Sequence, residues 1–307
     1  MDKTKESIRD LIKEKIIKER PKLTEASLKT YISYLNTLYK KLNGTDGLAF
    51  FTKSKKQIID AIKEREPNGR KTLLSALFIL TGIEEYKHLM LEDCKTVNDK
   101  YKQQKMSPEE KENWITTEDI REKYESYLQL VIPMLNNKKA INLTTINDFF
   151  ILALMSGVAG IPPRRSEYSE MKIKGYDREK DNYYEKDKFV FNKYKTFSTY
   201  GRVIINVKEM APQLNMLIKK WIKINHTDYL LFSSNGNPLT NVQLCQHNNK
   251  IWEGKKISCD MYRHIFLSHY YSQPHAYLDM ERMAYLCGHS ISTAMTKYVK
   301  IDAPKDT

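Results

Sequence analysis

Hydrophobic positions in the first hundred residues recur with helical spacing. The clearest run is Leu28, Tyr31, Ile32, Leu35, Leu38, Tyr39 and Leu42, which places its apolar side chains on one face of a helix. Thr24 or Ser27 is placed to cap its start and Gly44 to end it. A charged helix over 5–19, ended by Pro21, precedes it, and further helices are expected over 54–65, 71–81 and 84–103. No alternating strand pattern occurs in this stretch.

Residues 101–115, YKQQKMSPEEKENWI, are polar and read as a linker. Ser107-Pro108-Glu109-Glu110 has the form of a capping box, so a short helical turn is expected within it. Beyond it the pattern is mixed. Helices are expected over 117–135 and 145–156, with Thr117 starting the first and Thr145 and Asp148 at cap spacing in the second. Three strand-like runs follow, 172–176, 184–192 and 202–207, which together predict a small antiparallel sheet. Helices resume over 213–224, 240–251, 260–271 and 279–286.

These elements predict a mainly α fold with a small antiparallel β-sheet, of α+β class. The expected organisation is a helical domain over 1–104, a linker over 105–114 and a mixed domain over 115–307. A chain of 307 residues accommodates two such domains.

Composition narrows the function. No apolar run reaches the length of a membrane span. The charged start, MDKTKESIRDLIKEK, is neither a secretory signal nor a transit peptide in form, so an intracellular protein is expected. The four cysteines form no Cys-x-x-Cys pair, and a reducing compartment is the default. Cys245-x-His247 and Cys287-x-His289 leave one residue between the would-be ligands, where paired zinc ligands leave two to four. No metal or other cofactor is expected. Lys and Arg number 51 against 38 acids, a net charge of +13. Such a field attracts polyanions, although a lysine-rich composition produces it without a polyanionic partner, and the abundance of Lys, Asn, Ile and Tyr fits that reading.

Candidate chemistry lies in four separated stretches, PPRRSEYSEM (162–171), NKYKTFSTYGR (192–202), DMYRHIFLSHYY (260–271) and CGHSISTAMTKY (287–298). Each alone is ordinary: exposed arginines are common, and a histidine beside an apolar helix face is usually a packing residue. In order they read Arg, Lys, Arg-His, Gly-His, Tyr, and this series resembles the catalytic domain of the tyrosine recombinase (phage-integrase) family. On that resemblance Arg164 matches the first arginine, with Glu167 and Met171 at the family's acid and apolar positions, and Arg165 is the competing choice. Lys195 matches the hairpin lysine, with Lys193 in reserve. Arg263-His264 matches the second arginine and its neighbour. His289 and Tyr298 match the last pair, with the tyrosine nine residues after the histidine. The likeness covers about 115–300, and TEASLKTYISYLNTLYKKL resembles the family's core-binding domain.

The chain departs from the pattern in places. Pro162-Pro163 stands where the family has Gly-Leu, Cys287 where it has Leu, and Asp260 where it has the His of His-x-x-Arg-His. Pro162-Pro163-Arg164-Arg165 and the Tyr194-Lys195-Thr196 segment are, more loosely, similar to versions in large DNA viruses of eukaryotes and their virophages.

The resemblance implies a metal- and ATP-independent site-specific recombinase or integrase that forms a 3′-phosphotyrosine. Tyr298 would be the nucleophile. Arg164 and Arg263 would clamp the phosphate, and Lys195 would protonate the leaving 5′ oxygen. His289 would donate to the phosphate and His264 would support the site through Glu167. Asp260 has two open readings, proton acceptor for the tyrosine or orienting partner of Arg263. The implied partner is duplex DNA, gripped by both domains in a C-shaped clamp, with four protomers on two sites and accessory DNA-bending factors as further partners. The sequence past Tyr298 extends only to Thr307, which leaves the assembly mode open. A type IB topoisomerase or telomere resolvase would use the same chemistry, and a catalytically silent DNA-binding protein is the reading from another class. A hydrolytic nuclease would call for clustered carboxylates around Mg²⁺, and no such cluster stands out.

Overall fold

The computed structural model describes residues 7–137, 141–164 and 166–304. The chain divides into two compact units, Met1–Lys102 and Gln103–Thr307.

The first unit is helical: α1 (Ile8–Glu19), α2 (Glu25–Lys41), the short α3 (Phe50–Lys53), α4 (Lys55–Ile62), α5 (Pro67–Thr81) and α6 (Glu84–Lys102). Thr24 caps α2 by accepting from the Ser27 N–H. Its apolar stripe buries Ile32, Leu35 and Leu38 against Leu73, Leu74 and Leu77 of α5. Arg70 of α5 grips Asp93 of α6 with a bidentate pair at 2.8 and 2.6 Å.

The second unit begins with α7 (Pro108–Asn113), where Ser107 and Glu110 form the reciprocal capping box. Next come α8 (Thr117–Asn137) and α9 (Leu143–Met155). Thr116 and Asp119 cap α8 reciprocally. Asn142 caps α9 through the Thr145 N–H at 3.0 Å, so the helix starts two residues before the expected Thr145. Every residue of α9 from Ile146 to Met155 is buried. A helix buried on all sides forms the centre of its unit rather than one wall of it.

The sheet has the antiparallel order β1-β2-β3, from β1 (Tyr183–Glu185), β2 (Lys188–Phe191) and β3 (Val203–Asn206). Two expectations are corrected here. The run 184–192 is a hairpin rather than one strand, because Lys186 and Asp187 both take positive φ, 48° and 67°, and reverse the chain. Asp187 is anchored by Asn215 Nδ2 at 2.9 Å and Lys219 Nζ at 2.5 Å. Residues 172–176 form no strand. Lys172 makes only isolated bridges, to Tyr183 and Tyr229, since Gly175 at φ +58° turns the chain away.

The rest is helical: α10 (Phe197–Tyr200) within the β2–β3 connection, α11 (Val207–Met210), α12 (Pro212–Ile224), α13 (Asn241–Ile251), α14 (Cys259–Ser272), α15 (Tyr277–Leu286) and α16 (Ile291–Thr293). A π-helical turn, Ala294–Tyr298, closes the series. Among the described residues no helix is long and apolar enough to cross a membrane.

Candidate active site

Ser258 caps α14 by accepting from the Met261 N–H at 3.1 Å. Asp260, Arg263 and His264 follow at i, i+3 and i+4, which puts them on one helix face. The opposite face is apolar, with Tyr262 and Ile265 buried. Burial of that face holds the polar one at a fixed angle.

The end of α15 supplies the next part. Gly288 takes φ +80° and ends the helix, with the His289 N–H closing onto the Ala284 carbonyl at 3.0 Å. The last carbonyls of a helix lack intrahelical donors and carry its negative dipole end. Here two arginines meet them. Arg164 Nη1 donates to the Leu286 oxygen at 2.8 Å, and Arg263 Nη2 donates to the Cys287 oxygen at 2.9 Å. A Cβ added to Gly288 would lie 3.2 Å from Arg164 Nη2, so the residue also admits the guanidinium.

Both guanidiniums are almost inaccessible, Arg164 at 1% and Arg263 at 2% exposure. Arg164 stacks between the Phe191 and Tyr194 rings, at 4.4 and 4.7 Å. Arg263 lies 4.4 Å from the centre of the Tyr298 ring. The carboxylate of Asp260 stands close to it, with 3.7 Å between Nη1 and Oδ1. Among the described residues no carboxylate forms an ion pair with Arg164. Among them, too, Arg164 Nε, Arg263 Nε and Arg263 Nη1 are buried without a hydrogen-bond acceptor. A buried cation with so little compensation is costly, and these N–H groups are donors that an anion could take up.

Tyr298 is 1% exposed at the end of the π-turn. Its ring stacks on His289 at 5.2 Å and meets His264 edge-on at 5.2 Å. The His289 Nδ1 lies 3.1 Å from the Ser290 carbonyl oxygen. Arg263, His264, His289 and Tyr298 thus form one packed cluster, and Arg164 joins it through the 286–288 backbone.

Lys195 is exposed on the β2–β3 connection. Its neighbours tie that connection to the cluster: Tyr194 stacks on Arg164, and Thr196 Oγ1 donates to the Gly288 oxygen at 3.0 Å. Lys193 is paired with Glu170 at 2.7 Å. Arg165, the competing first arginine, lies outside the described residues. His264 pairs with Glu110 at 3.1 Å, and Glu110 rather than Glu167 is the acid beside it. Glu167 sits half-buried in the turn after Arg164.

Two features of this site escape the motif order. Glu110 is hidden there because its capping role alone explains its position in the sequence. Cys287 is the other: burial pushes its thiol up to about 12, against the pull of Arg263 and Arg164, so it packs as a neutral side chain beneath them.

No family model and no curated protein matches the sequence. One solved structure, described as the crystal structure of XerA recombinase, is similar over 96% of this chain and 95% of that chain, at 12% identity and a TM-score of 0.40. A likeness of that size leaves the functional reading to rest on the site.

Proposed function

We propose that this chain is a tyrosine-type DNA strand transferase, a site-specific recombinase that cleaves and rejoins DNA through a 3′-phosphotyrosine. The observation that carries the reading is the convergence of Arg164, Arg263, His289 and Tyr298, drawn from distant parts of the sequence, in one buried cationic cluster with unused donors.

In this mechanism a DNA phosphate enters the pocket and takes up the free guanidinium N–H groups. Tyr298 Oη gives up its proton to solvent and attacks phosphorus, forming the O–P bond as the bond to the 5′ oxygen breaks. Lys195 gives that oxygen a proton, and His289 donates to a non-bridging oxygen. The five-coordinate phosphorus carries added negative charge, which the two fixed guanidiniums stabilise without reorganising. A 5′ hydroxyl reverses the step on the same or another strand, so neither ATP nor a metal is consumed. Asp260, 3.7 Å from Arg263, holds that arginine in place. Tyr298 is covered in the free chain, so phosphate entry is coupled to movement of the π-turn; such turns are frequent at functional sites.

The proposed partner is duplex DNA. The helical first unit adds phosphate contacts, four protomers assemble on two sites, and the protein acts in the compartment that holds the DNA. Binding weakens steeply with salt. The test is a randomised duplex pool carrying a nick, from which the leaving strand diffuses away. Adducts are recovered and the modified peptide is mapped by mass. An adduct on Tyr298 supports the reading; DNA binding with no adduct would leave a silent DNA-binding protein, and an adduct on another tyrosine overturns the site. Supercoil relaxation without two-site exchange would move the protein to the topoisomerase class.

A further inference from the structure

Glu110 has two jobs, and its capping role accounts for one oxygen only. Its Oε2 accepts the Ser107 N–H at 2.7 Å, as the capping box requires. Its Oε1 faces away from α7, 3.1 Å from His264 Nδ1 and 3.2 Å from Lys300 Nζ. The Lys300 side chain is only 6% exposed and Glu110 only 19%. A buried ammonium is retained where a carboxylate compensates it.

The two groups held by that oxygen flank Tyr298. His264 belongs to α14 and meets the Tyr298 ring edge-on at 5.2 Å. Lys300 follows Tyr298 by two residues, and its N–H donates to Ser268 Oγ at 2.8 Å, while that hydroxyl lies 3.4 Å from the Tyr298 carbonyl oxygen. The segment beyond is tied to the same stretch: Ile301 N–H donates to the Gln104 oxygen at 2.9 Å, and Met106 N–H donates to Asp302 Oδ1 at 2.9 Å. Residues 104–110 therefore grip the chain on the far side of the tyrosine, and the carboxylate of Glu110 is where that grip meets α14.

We infer that Glu110 is a positioning residue for Tyr298, fixing through His264 and Lys300 where the ring stands against Arg263 and His289. The inference rests on the strand-transfer reading. Glu110 acts through His264 and Lys300, so its effect falls on the rate at which Tyr298 reacts and not on DNA capture.

The experiment measures single-turnover adduct formation at Tyr298 on the nicked duplex pool, with DNA affinity and thermal unfolding followed in parallel. Glu110→Gln is expected to slow adduct formation by about tenfold or more, the scale of a misplaced reacting group, with affinity unchanged. Glu110→Gln combined with Lys300→Met removes the uncompensated ammonium and restores the unfolding temperature, yet the rate stays low. The double variant carries the test alone if the single one folds poorly. A rate that recovers together with stability would reduce Glu110 to a structural residue, and a wild-type rate in Glu110→Gln overturns the inference outright. Both results leave the strand-transfer reading standing. Failure of the unaltered chain to form any adduct sinks both.

Discussion

Arg164 and Arg263 donate to consecutive carbonyl oxygens, those of Leu286 and Cys287, at 2.8 and 2.9 Å. One helix end thus sets the spacing of two guanidiniums that come from separate parts of the chain. Each spends one donor on the helix and keeps others unused.

Replacing either arginine by lysine keeps the charge and removes the planar fork. Arg164→Lys and Arg263→Lys should each lower single-turnover adduct formation by roughly 10²–10³. Arg164→Lys should also destabilise the fold by about 1–3 kcal/mol, since it leaves the buried Leu286 carbonyl short of a donor. Adduct kinetics and denaturant melts measure the two effects separately.

Tyr298→Phe retains the ring that packs on Arg263, His264 and His289. It should abolish the covalent adduct and leave DNA affinity and fold intact, read by gel shift and by circular dichroism. A residual adduct in this variant would assign the nucleophile elsewhere.

Gly288→Ala combines two penalties, a left-handed backbone at φ +80° and a Cβ 3.2 Å from Arg164 Nη2. Gly82→Ala provides the comparison, because Gly82 has φ +71° with nothing within 4 Å of an added Cβ. Both should lose about 1 kcal/mol or more from the backbone alone. Gly288→Ala should lose more in chemical melts, and it alone should slow adduct formation.

Glu110 sets a pH dependence. Burial raises its pKa, but the His264 contact, the Ser107 N–H and Lys300 outweigh it and hold the carboxyl well below its usual value of 4.5. The unfolded chain therefore binds this proton more readily than the folded one. The resulting stability is fully present above about pH 4.5 and declines as the pH falls further, towards the lowered folded value. Glu110→Gln should flatten that part of the acid-unfolding curve and leave its neutral region parallel to wild type.

The Cys287 thiol, pushed up to about 12 by burial, should resist alkylation at neutral pH despite the two arginines above it. The exposed Cys245 should react first. Timed iodoacetamide labelling with peptide mapping gives the order.

The helices of both units were legible because each depends on local rules. The α2 stripe follows the helical period, Thr24 caps it, and Ser107 and Glu110 spell out their box. The strands were less legible. The strand-like run over 184–192 does not mark the reversal at Lys186 and Asp187, where Asp187 is anchored from α12 by Asn215 and Lys219. The strand-like run at 172–176 lacks a partner strand along its length, and pairing is a tertiary property.

The order Arg, Lys, Arg-His, Gly-His, Tyr, the helical period and the excess positive charge belong to the sequence by itself, since residue identity and spacing fix them. Tertiary structure alone decided that the two arginines share one helix end, that Tyr298 lies buried between two histidines, and that His264 answers to Glu110 rather than Glu167. These are contacts between residues far apart along the chain. Their geometry follows from how the buried faces of α9, α14 and α15 pack, which no local pattern encodes.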